Sequence, residues 1–366
     1  MHFACNNQSR FGCYNVFLNR MRFVSPLLKH AVYPVLHRTG WLDHIHPPGG
    51  YSVVNYHGVI PSDHSGGDAF LDGNLVLLET FRQQLQFLKV HYDVIHPEEF
   101  RACVEHGQSL PRRALLVTCD DGLLNTLTDM LPMLQSEDVS CLFFVTGASS
   151  RNHPAMLWYE ELYNLMRAIS LDGRQLQLPA GETTDSASSG NFQSQWWNAV
   201  RSGSRLNAGE RADWISLVRV RCDPSQNFQS ERRWRLLTQP ELAQLSESGM
   251  TIGAHTLTHP VLSLCSEEEA FREIKQSKVD IERAVGKPVW AFAYPFGNPA
   301  TMGEREIRLA QDAGYSCAFL NVESWDSGSA HLFQLPRTHV TRNTTVAELA
   351  AHLSGLHSRL QRGFGR

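Results

Sequence analysis

The sequence lacks any long apolar run. No stretch of about 18 consecutive apolar residues occurs, which argues against a membrane-spanning helix. Near the N-terminus, polar and basic residues interrupt every candidate hydrophobic region of a signal peptide: Asn6, Asn7, Arg10, Asn15, Arg20 and Arg22. Both absences predict a cytoplasmic protein. The segment 14–42 carries apolar and basic residues at helical spacing, so it could make peripheral contact with a membrane, although a helix packed on the protein is favoured.

Paired cysteine motifs are also missing. None of the eight cysteines forms a CxxC motif, and several lie inside apolar runs such as residues 140–144, SCLFF. A free thiol in such a run is a small core side chain, so the distribution favours a reducing compartment over a disulfide framework. The excess of charge is small as well. A net charge of −4 gives no electrostatic reason to expect nucleic acid as a partner.

The composition is that of an ordinary globular protein, with 42% apolar and 19% charged residues. Short apolar segments alternate with helical patterns along most of the chain. The predicted strands include residues 52–56, 115–119, 141–145, 251–254 and 290–293. Such alternation predicts an α/β domain around a parallel sheet, either a barrel or a doubly wound sheet.

The alternation is interrupted at about residues 150–236, where a Ser/Gly/Thr-rich stretch and several tryptophans occur. A long interruption inside a compact domain is typically a lid or a binding element, so we predict an inserted subdomain here. The remaining boundaries follow. We expect an N-terminal helical extension (1–50), a main domain (51–345) and a C-terminal helix with a tail (346–366).

Chemically active side chains follow several of the predicted strands. In chain order they are His57, the pair Asp120 and Asp121, the pair His255 and His259, and a Tyr-Pro-Phe-Gly turn at 294–297. In a parallel barrel the loops that follow the strands lie at one face, so we expect these groups to converge.

Adjacent aspartates repel each other unless they share a cation or a proton. One aspartate with two histidines is a ligand set suited to a divalent transition metal with open coordination positions. Each motif alone has a simpler interpretation, since Asp-Asp-Gly is often a solvated turn and two histidines four residues apart are often surface groups. The combination favours a metal site.

Together these segments resemble the polysaccharide deacetylases of carbohydrate esterase family 4, the NodB-homology family. Residues 118–122, TCDDG, are similar to the family's TFDDG motif, and residues 255–259, HTLTH, match its H-[ST]-x-x-H motif. Residues 293–297, AYPFG, resemble its substrate-groove segment. Residues 53–59, VVNYHGV, resemble the Y-H-x-V segment of the circularly permuted branch that acts on exopolysaccharides. The resemblance covers residues 52–340 apart from the insertion.

The resemblance implies a distorted (β/α) barrel of seven or eight strands and a hydrolase that removes N-acetyl groups from a polysaccharide or a glycan precursor. Asp121, His255 and His259 would bind a divalent metal, with Zn²⁺ as the expected ion. Asp120 would be the base that activates a metal-bound water, and His57 the acid that protonates the leaving amine. The substrate-binding residues would be Tyr294, Pro295 and Phe296, with a backbone N–H near Tyr294 stabilising the oxyanion.

The sequence departs from the family pattern in three places. Ala293 stands where the family has an arginine that orients the catalytic aspartate. Arg337, at another predicted strand end, could supply the guanidinium, although a surface salt bridge is an equal alternative. A late histidine after an apolar residue is missing, because His339 follows Arg-Thr. Cys119 replaces the motif's aromatic residue and is interpreted as packing.

Two other functions fit the same residues. One is a deformylase, or another C–N hydrolase, acting on a lipid-linked sugar with the same metal site. The other is a catalytically silent glycan-binding relative, against which the intact Asp120, Asp121, His255 and His259 count. The partner is therefore expected to be a polysaccharide or a lipid-linked glycan, and the sequence leaves the sugar and the linkage open.

Overall fold

The computed structural model of the chain describes residues 24–44, 50–60, 71–171, 179, 192–222, 233–323 and 331–364. The chain divides into two compact units, Pro48–Asn343 and a second unit formed by Met1–Pro47 with Thr344–Arg366. Within the described ranges, no helix combines the length and the hydrophobicity that crossing a membrane requires.

The strands, in chain order, are β1 (Tyr51–Tyr56), β2 (Val59–Ile60), β3 (Val76–Leu77), β4 (Asp93–Val94), β5 (Ala114–Cys119), β6 (Leu142–Val145), β7 (Thr251–Ala254), β8 (Ala291–Ala293), β9 (Cys317–Phe319) and β10 (Thr338–His339). The α-helices are α1 (Val24–Leu27), α2 (Tyr33–Arg38), α3 (Leu78–His91), α4 (Pro97–His106), α5 (Leu131–Ser136), α6 (Trp158–Leu171), α7 (Phe192–Gly203), α8 (Ala208–Val220), α9 (Gln239–Glu247), α10 (Glu267–Val285), α11 (Glu304–Asp312), α12 (Val346–Leu353) and α13 (Leu356–Phe364).

Eight strands form one parallel sheet in the order β10-β1-β5-β6-β7-β8-β9, with β4 beside the start of β5. The segment before β10 also bonds to the other edge, since the N–H of Leu335 donates to Ala318 O (3.0 Å) and the N–H of Leu320 donates to Leu335 O (2.8 Å). Residues 335–339 therefore reach both edges of the sheet and curl it into a barrel. The predicted distorted (β/α) barrel is confirmed.

The strands are apolar because helices cover the sheet. All six residues of β5 and all four of β6 are buried, as expected for strands with both faces in the core. The core of the barrel combines residues from opposite strands, including Val53, Leu116, Phe144, Ala291 and Phe319. This core fixes the positions of the loops that leave the strands.

In the described part of the interruption, three α-helices, α6, α7 and α8, have an apolar core of their own. This core includes Trp158, Leu162, Trp196, Trp214 and Val218. Trp196 and Trp214 are buried, so these tryptophans belong to the core of the insertion. Trp197 differs, because its side chain is 46% exposed.

In the terminal unit, the helices at the two ends of the chain pack together. The hydroxyl of Tyr33 lies 2.8 Å from Nδ1 of His357, and Nζ of Lys29 lies 2.7 Å from Oε2 of Glu348. Of the segment 14–42 that the sequence marks as amphipathic, residues 14–23 lie outside the described residues.

Candidate active site

The loops that leave β1, β5, β7 and β8 open on one pocket of about 340 Å³. The sequence-predicted residues that line it are His57, Asp120, Asp121, His255, His259 and Phe296. The expected convergence at the carboxyl ends of the strands is therefore what the structure shows. Arg337, Tyr294 and Pro295 do not line this pocket.

Asp120 follows β5 and is only 2% exposed. Its backbone N–H donates to Tyr56 O at 2.9 Å, which extends the pairing of β1 and β5 by one residue. Oδ2 accepts a hydrogen bond from Nδ2 of Asn55 (2.9 Å), and two guanidinium nitrogens of Arg337 donate to Oδ1 and Oδ2, each at 2.7 Å. Burial alone would raise the pKa of this carboxyl, but the charge of Arg337 holds it well below its usual range.

Arg337 is fully buried, so the alternative of a surface salt bridge does not hold. Its Nε donates to Leu320 O (2.7 Å), and Nη1 donates to Oδ1 of Asn55 (2.9 Å) as well as to Asp120. The planar fork of a guanidinium matches a carboxylate in this bidentate way. Arg337, next to β10 and beside β1, is therefore the structural counterpart of the arginine that is missing at Ala293.

The turn after Asp120 has a left-handed backbone. Asp121 has φ 75°, and Gly122 follows with φ 78°. A Cβ atom on Gly122 would also lie 3.0 Å from Cβ of Val145, so the Asp-Asp-Gly sequence meets both a conformational and a steric requirement. The turn aims the two aspartates differently, one at Arg337 and the other at the histidines.

Asp121, His255 and His259 form a buried cluster of possible metal ligands, with one donor atom of each within 4.8 Å of the others. Oδ1 of Asp121 lies 3.6 Å from Nε2 of His255 and 3.4 Å from Nε2 of His259. Among the described residues, this oxygen accepts no hydrogen bond. A buried carboxylate oxygen without a donor, facing two imidazoles, fits a divalent cation.

His255 is prepared to act as a ligand. Its Nδ1 lies 2.7 Å from Ala293 O, so Nδ1 carries the hydrogen and Nε2 keeps its lone pair facing Asp121. Burial lowers the pKa of His255 to about 4, which leaves the imidazole neutral at pH 7. Metal ligation requires the neutral ring, so this histidine also fits the cluster.

His57 lies after β1, with its Nε2 4.0 Å from Oδ2 of Asp120 and its side chain 12% exposed. Its ring also packs against that of His339, with centroids 4.8 Å apart. His57 therefore reaches the pocket on the side of Asp120 that bears Oδ2, where the predicted acid is needed.

The Tyr-Pro-Phe-Gly turn at residues 294–297 lines the pocket only in part. Phe296 lines the pocket and packs edge-on against His259, with ring centroids 5.0 Å apart. Tyr294 does not, because its side chain is fully buried against Phe292 and its backbone N–H donates to Phe319 O at 3.1 Å. Pro295 is buried as well. Tyr294 and Pro295 therefore do not line the pocket, contrary to the expectation that they contact the substrate, and the Tyr294 N–H is engaged within the sheet. An oxyanion donor near Tyr294 stays a prediction.

A segment that contributes residues to this pocket matches a known protein family. Residues 224–318, which contain His255, His259 and Phe296, match the family model described as polysaccharide deacetylase. This segment of the chain is therefore similar to the polysaccharide deacetylases. The resemblance predicted from the motifs is thereby confirmed, and it supports a deacetylase hydrolase.

Two solved structures share the fold of this chain. IcaB from Ammonifex degensii is 19% identical with a TM-score of 0.52, covering 84% of this chain and 99% of that chain. The Streptococcus pyogenes deacetylase PplD in complex with acetate is 17% identical with a TM-score of 0.50, covering 82% of this chain and 96% of that chain. Among curated proteins, none matches the sequence.

The loop at residues 255–259 carries two of the three possible metal ligands and is called the metal loop below. It is held by a residue that sequence reasoning missed. Glu273 of α10 is 1% exposed, and its Oε2 accepts the backbone N–H groups of Leu257 and Thr258, each at 2.9 Å. Its Oε1 accepts the hydroxyl of Thr258 at 2.8 Å. The sequence pattern could have identified Glu273, because it lies on the apolar stripe of an amphipathic helix. Burial of a carboxylate there costs free energy unless hydrogen-bond donors surround it.

The inserted helices also hold the metal loop. Nε1 of Trp158 donates to His259 O (3.1 Å), and Nη2 of Arg211 donates to Oγ1 of Thr258 (3.1 Å). Arg211 is buried, with its guanidinium over the Trp158 ring. Two of the three inserted helices, α6 and α8, thus contact the loop that carries the histidines.

The backbone of the site is strained. Among the described residues, five that are not glycine have positive φ, and four of them lie at the site: Asp121, Thr256, His259 and Phe296. Each such residue costs on the order of 1–3 kcal/mol and persists only when its surroundings fix it. For Thr256 and His259, the hydrogen bonds to the metal loop provide this fixation.

Proposed function

We propose that this chain is a metal-dependent hydrolase that removes the N-acetyl group of an amino sugar in a polysaccharide or a glycan precursor. The observation that carries the proposal is the content of one pocket. It holds the donor cluster of Asp121, His255 and His259, the ionised carboxylate of Asp120 and the imidazole of His57. We propose Zn²⁺ as the ion, because a carboxylate with two neutral imidazoles suits it, although other divalent ions accept the same set.

Asp121, His255 and His259 would hold the cation, which supplies a Lewis acid that acidifies water and polarises the amide carbonyl. Asp120 accepts the proton of the attacking water as the new C–O bond forms. Its Oδ1 accepts one hydrogen bond, so a lone pair is left for that proton. His57 donates a proton to the amide nitrogen as the C–N bond breaks, and acetate and the sugar amine leave.

The proposal is tested by measuring acetate and formate release from N-acylated glycans, with and without a chelator. We expect acetate release that stops with the chelator and returns with added Zn²⁺. Asp120→Asn should lower turnover by about 100-fold or more, because the amide cannot accept the proton. Tight metal binding without acyl release from any glycan would mean that the chain binds glycans without hydrolysing them. Release of formate instead of acetate would favour the deformylase.

The role of His57 has its own test. His57→Ala should lower turnover by about 100-fold while the bound metal, measured by atomic absorption, stays at the wild-type ratio. His255→Ala serves as the contrast, because it should lower metal content and turnover together. Near-normal turnover of His57→Ala would show that the acid lies elsewhere, with His339 as the next residue to replace.

A further inference from the structure

The pocket contains a third carboxyl group, which no catalytic role uses. Glu160, in the first turn of α6, lines the same pocket as Asp120 and Asp121 and is 8% exposed. Asp120 is paired with Arg337, and Asp121 belongs to the metal cluster. Oε2 of Glu160 makes no hydrogen bond to any described residue. An unpartnered buried carboxyl oxygen lowers the stability of a protein, so its presence in a binding pocket suggests a ligand.

The state of this carboxyl group determines what it can bind. Burial raises the pKa of Glu160 well above its ordinary value, and the charges of Asp121 and Asp72 add to the effect. When the group carries a proton, it presents both an O–H donor and a carbonyl acceptor. A cationic or anionic partner would meet only one of these, whereas a hydroxyl group can accept from one and donate to the other.

The surroundings of Glu160 match a sugar. The preceding residue, Tyr159, lines the pocket and packs against His259 (ring centroids 5.4 Å apart) and Phe296 (6.1 Å). The half-exposed indole of Trp197 also lines the pocket and offers a flat apolar face. A sugar ring combines apolar C–H faces with hydroxyl groups at its edge. Pockets for such ligands combine aromatic walls with a few placed polar groups.

We propose that Glu160 is a specificity-determining residue that binds a hydroxyl group of the amino sugar whose N-acyl group is removed. This inference rests on the proposed function, and it gives the inserted subdomain a part in substrate choice. Glu160 donates to the hydroxyl oxygen and accepts the hydroxyl hydrogen. A substrate without that hydroxyl leaves the carboxyl group unpartnered in the pocket.

The test uses the full chain with Zn²⁺, an oligosaccharide of N-acetylglucosamine, and analogues that each lack one hydroxyl group. For the wild type we expect kcat/KM to fall by about 10-fold or more with one of the analogues. In Glu160→Leu the same analogue and the parent sugar should react at nearly equal kcat/KM. Glu160→Ala provides the same comparison if the leucine variant does not fold.

A second readout separates this role from a structural one. Because leucine fills a similar volume without a buried polar group, Glu160→Leu should unfold at the same temperature as the wild type or higher. Glu161→Leu is the matched control. Glu161 lies in the same turn and binds Nε of Arg219 at 2.9 Å, outside this pocket. This variant should discriminate against the analogue as the wild type does.

Two results would overturn the inference. One is a wild type that reacts equally with every analogue, and the other is a Glu160→Leu variant that still discriminates, or that loses thermal stability while keeping wild-type kcat/KM. Either result leaves the proposed function intact, because acetate is still released from the parent sugar. Absence of acetate release by the wild type would instead refute the proposed function and this inference with it.

Discussion

Arg337 supplies the positive charge on which the state of Asp120 depends. Replacing one partner of a buried ion pair leaves the other charge without compensation, at a cost of about 3–5 kcal/mol. We therefore expect Arg337→Met to lower the free energy of unfolding at pH 7 by that amount, as measured by urea denaturation. The double variant with Asp120→Asn should recover part of the loss, because no buried charge is then left unpaired.

The matched control is an exposed ion pair of the same types. Arg308 lies 2.8 Å from Glu267, and both side chains are more than half exposed. Exposed pairs contribute about 0–1 kcal/mol, so Arg308→Met should change the free energy of unfolding by less than about 1 kcal/mol. Equal losses in the two variants would show that the burial of Arg337 is not what makes it important.

At the scale of residues, the sequence could identify side chains in contiguous motifs but not those that tertiary contacts bring in. Arg337 is 217 positions from Asp120 and reaches it only because the segment around β10 lies beside β1. Tyr294 lies outside the pocket for a local reason. Alternation along an extended chain would place Tyr294 and Phe296 on the same side. The left-handed φ of 61° at Phe296 breaks this alternation.

Among the elements, α10 controls the metal loop through Glu273. Removing its carboxylate leaves two backbone N–H groups and the Thr258 hydroxyl without their acceptor. Outer groups that orient metal ligands typically affect metal affinity by about 10–100-fold. We expect Glu273→Leu to weaken Zn²⁺ binding by that factor in a competition titration with a chelator.

Glu282→Leu is the control for this experiment. Glu282 lies on the same helix, and its Oε1 accepts the backbone N–H of Val289 at 3.0 Å, away from the metal loop. The variant loses a similar hydrogen bond but should bind Zn²⁺ as the wild type does. Equal weakening in both variants would point to a general effect of loosening α10.

A carboxylate at the start of α9, that of Glu241, makes the stability of the fold depend on pH. Burial would raise the pKa of Glu241, but hydrogen bonds from Arg235 and from Thr238 lower it to about 2. A lowered folded-state pKa stabilises the fold above the ordinary value of 4.5, and this contribution disappears as the pH falls through about 2. The wild type should therefore exceed Glu241→Gln in stability at pH 6, and the difference should shrink between about pH 4.5 and 2.

Chemical denaturation of both proteins across this range measures the difference directly. Glu247→Gln, at the exposed end of the same helix, should show no comparable pH-dependent difference. A difference between wild type and Glu241→Gln that grows as the pH falls would contradict the assignment of the lowered pKa.

Most element positions followed from the sequence, because apolar runs and capping residues are local signals. The sequence pattern of residues 78–90 predicts a helix, which is α3, and the predicted strand at 251–254 is β7. The sequence also predicts a strand near residues 335–340, but only Thr338–His339 form β10. Leu335 bonds β9 whereas β10 pairs with β1, so the segment changes its partner strand between them, where Pro336 has no backbone N–H to offer.

At the scale of the unit Pro48–Asn343, the proposed metal ligands come from two distant parts of the chain. Asp121 follows β5, whereas His255 and His259 follow β7. A cation that binds all three joins these loops only in the folded state, so it should stabilise folding. At a free Zn²⁺ concentration of about 100 times its dissociation constant, the gain should be about 2.7 kcal/mol.

Thermal unfolding with increasing Zn²⁺ measures this gain. The midpoint temperature should rise with the metal concentration in the wild type, and the rise should be absent in His255→Ala. An equal rise in both proteins would mean that the stabilising ion binds at another place.

The pairing of β1 with β10 has a consequence for the comparison of this sequence with others. β1 and β10 are the first and the last strands of the sheet in the chain, yet they are hydrogen-bonded neighbours, with Val54 opposite Thr338. A gene rearrangement that moved β1 behind β10 would preserve that neighbour relation and leave His57 beside the pocket. The same histidine would then be read near the end of the sequence. An alignment of structures will therefore find equivalent residues that an alignment of sequences in chain order misses.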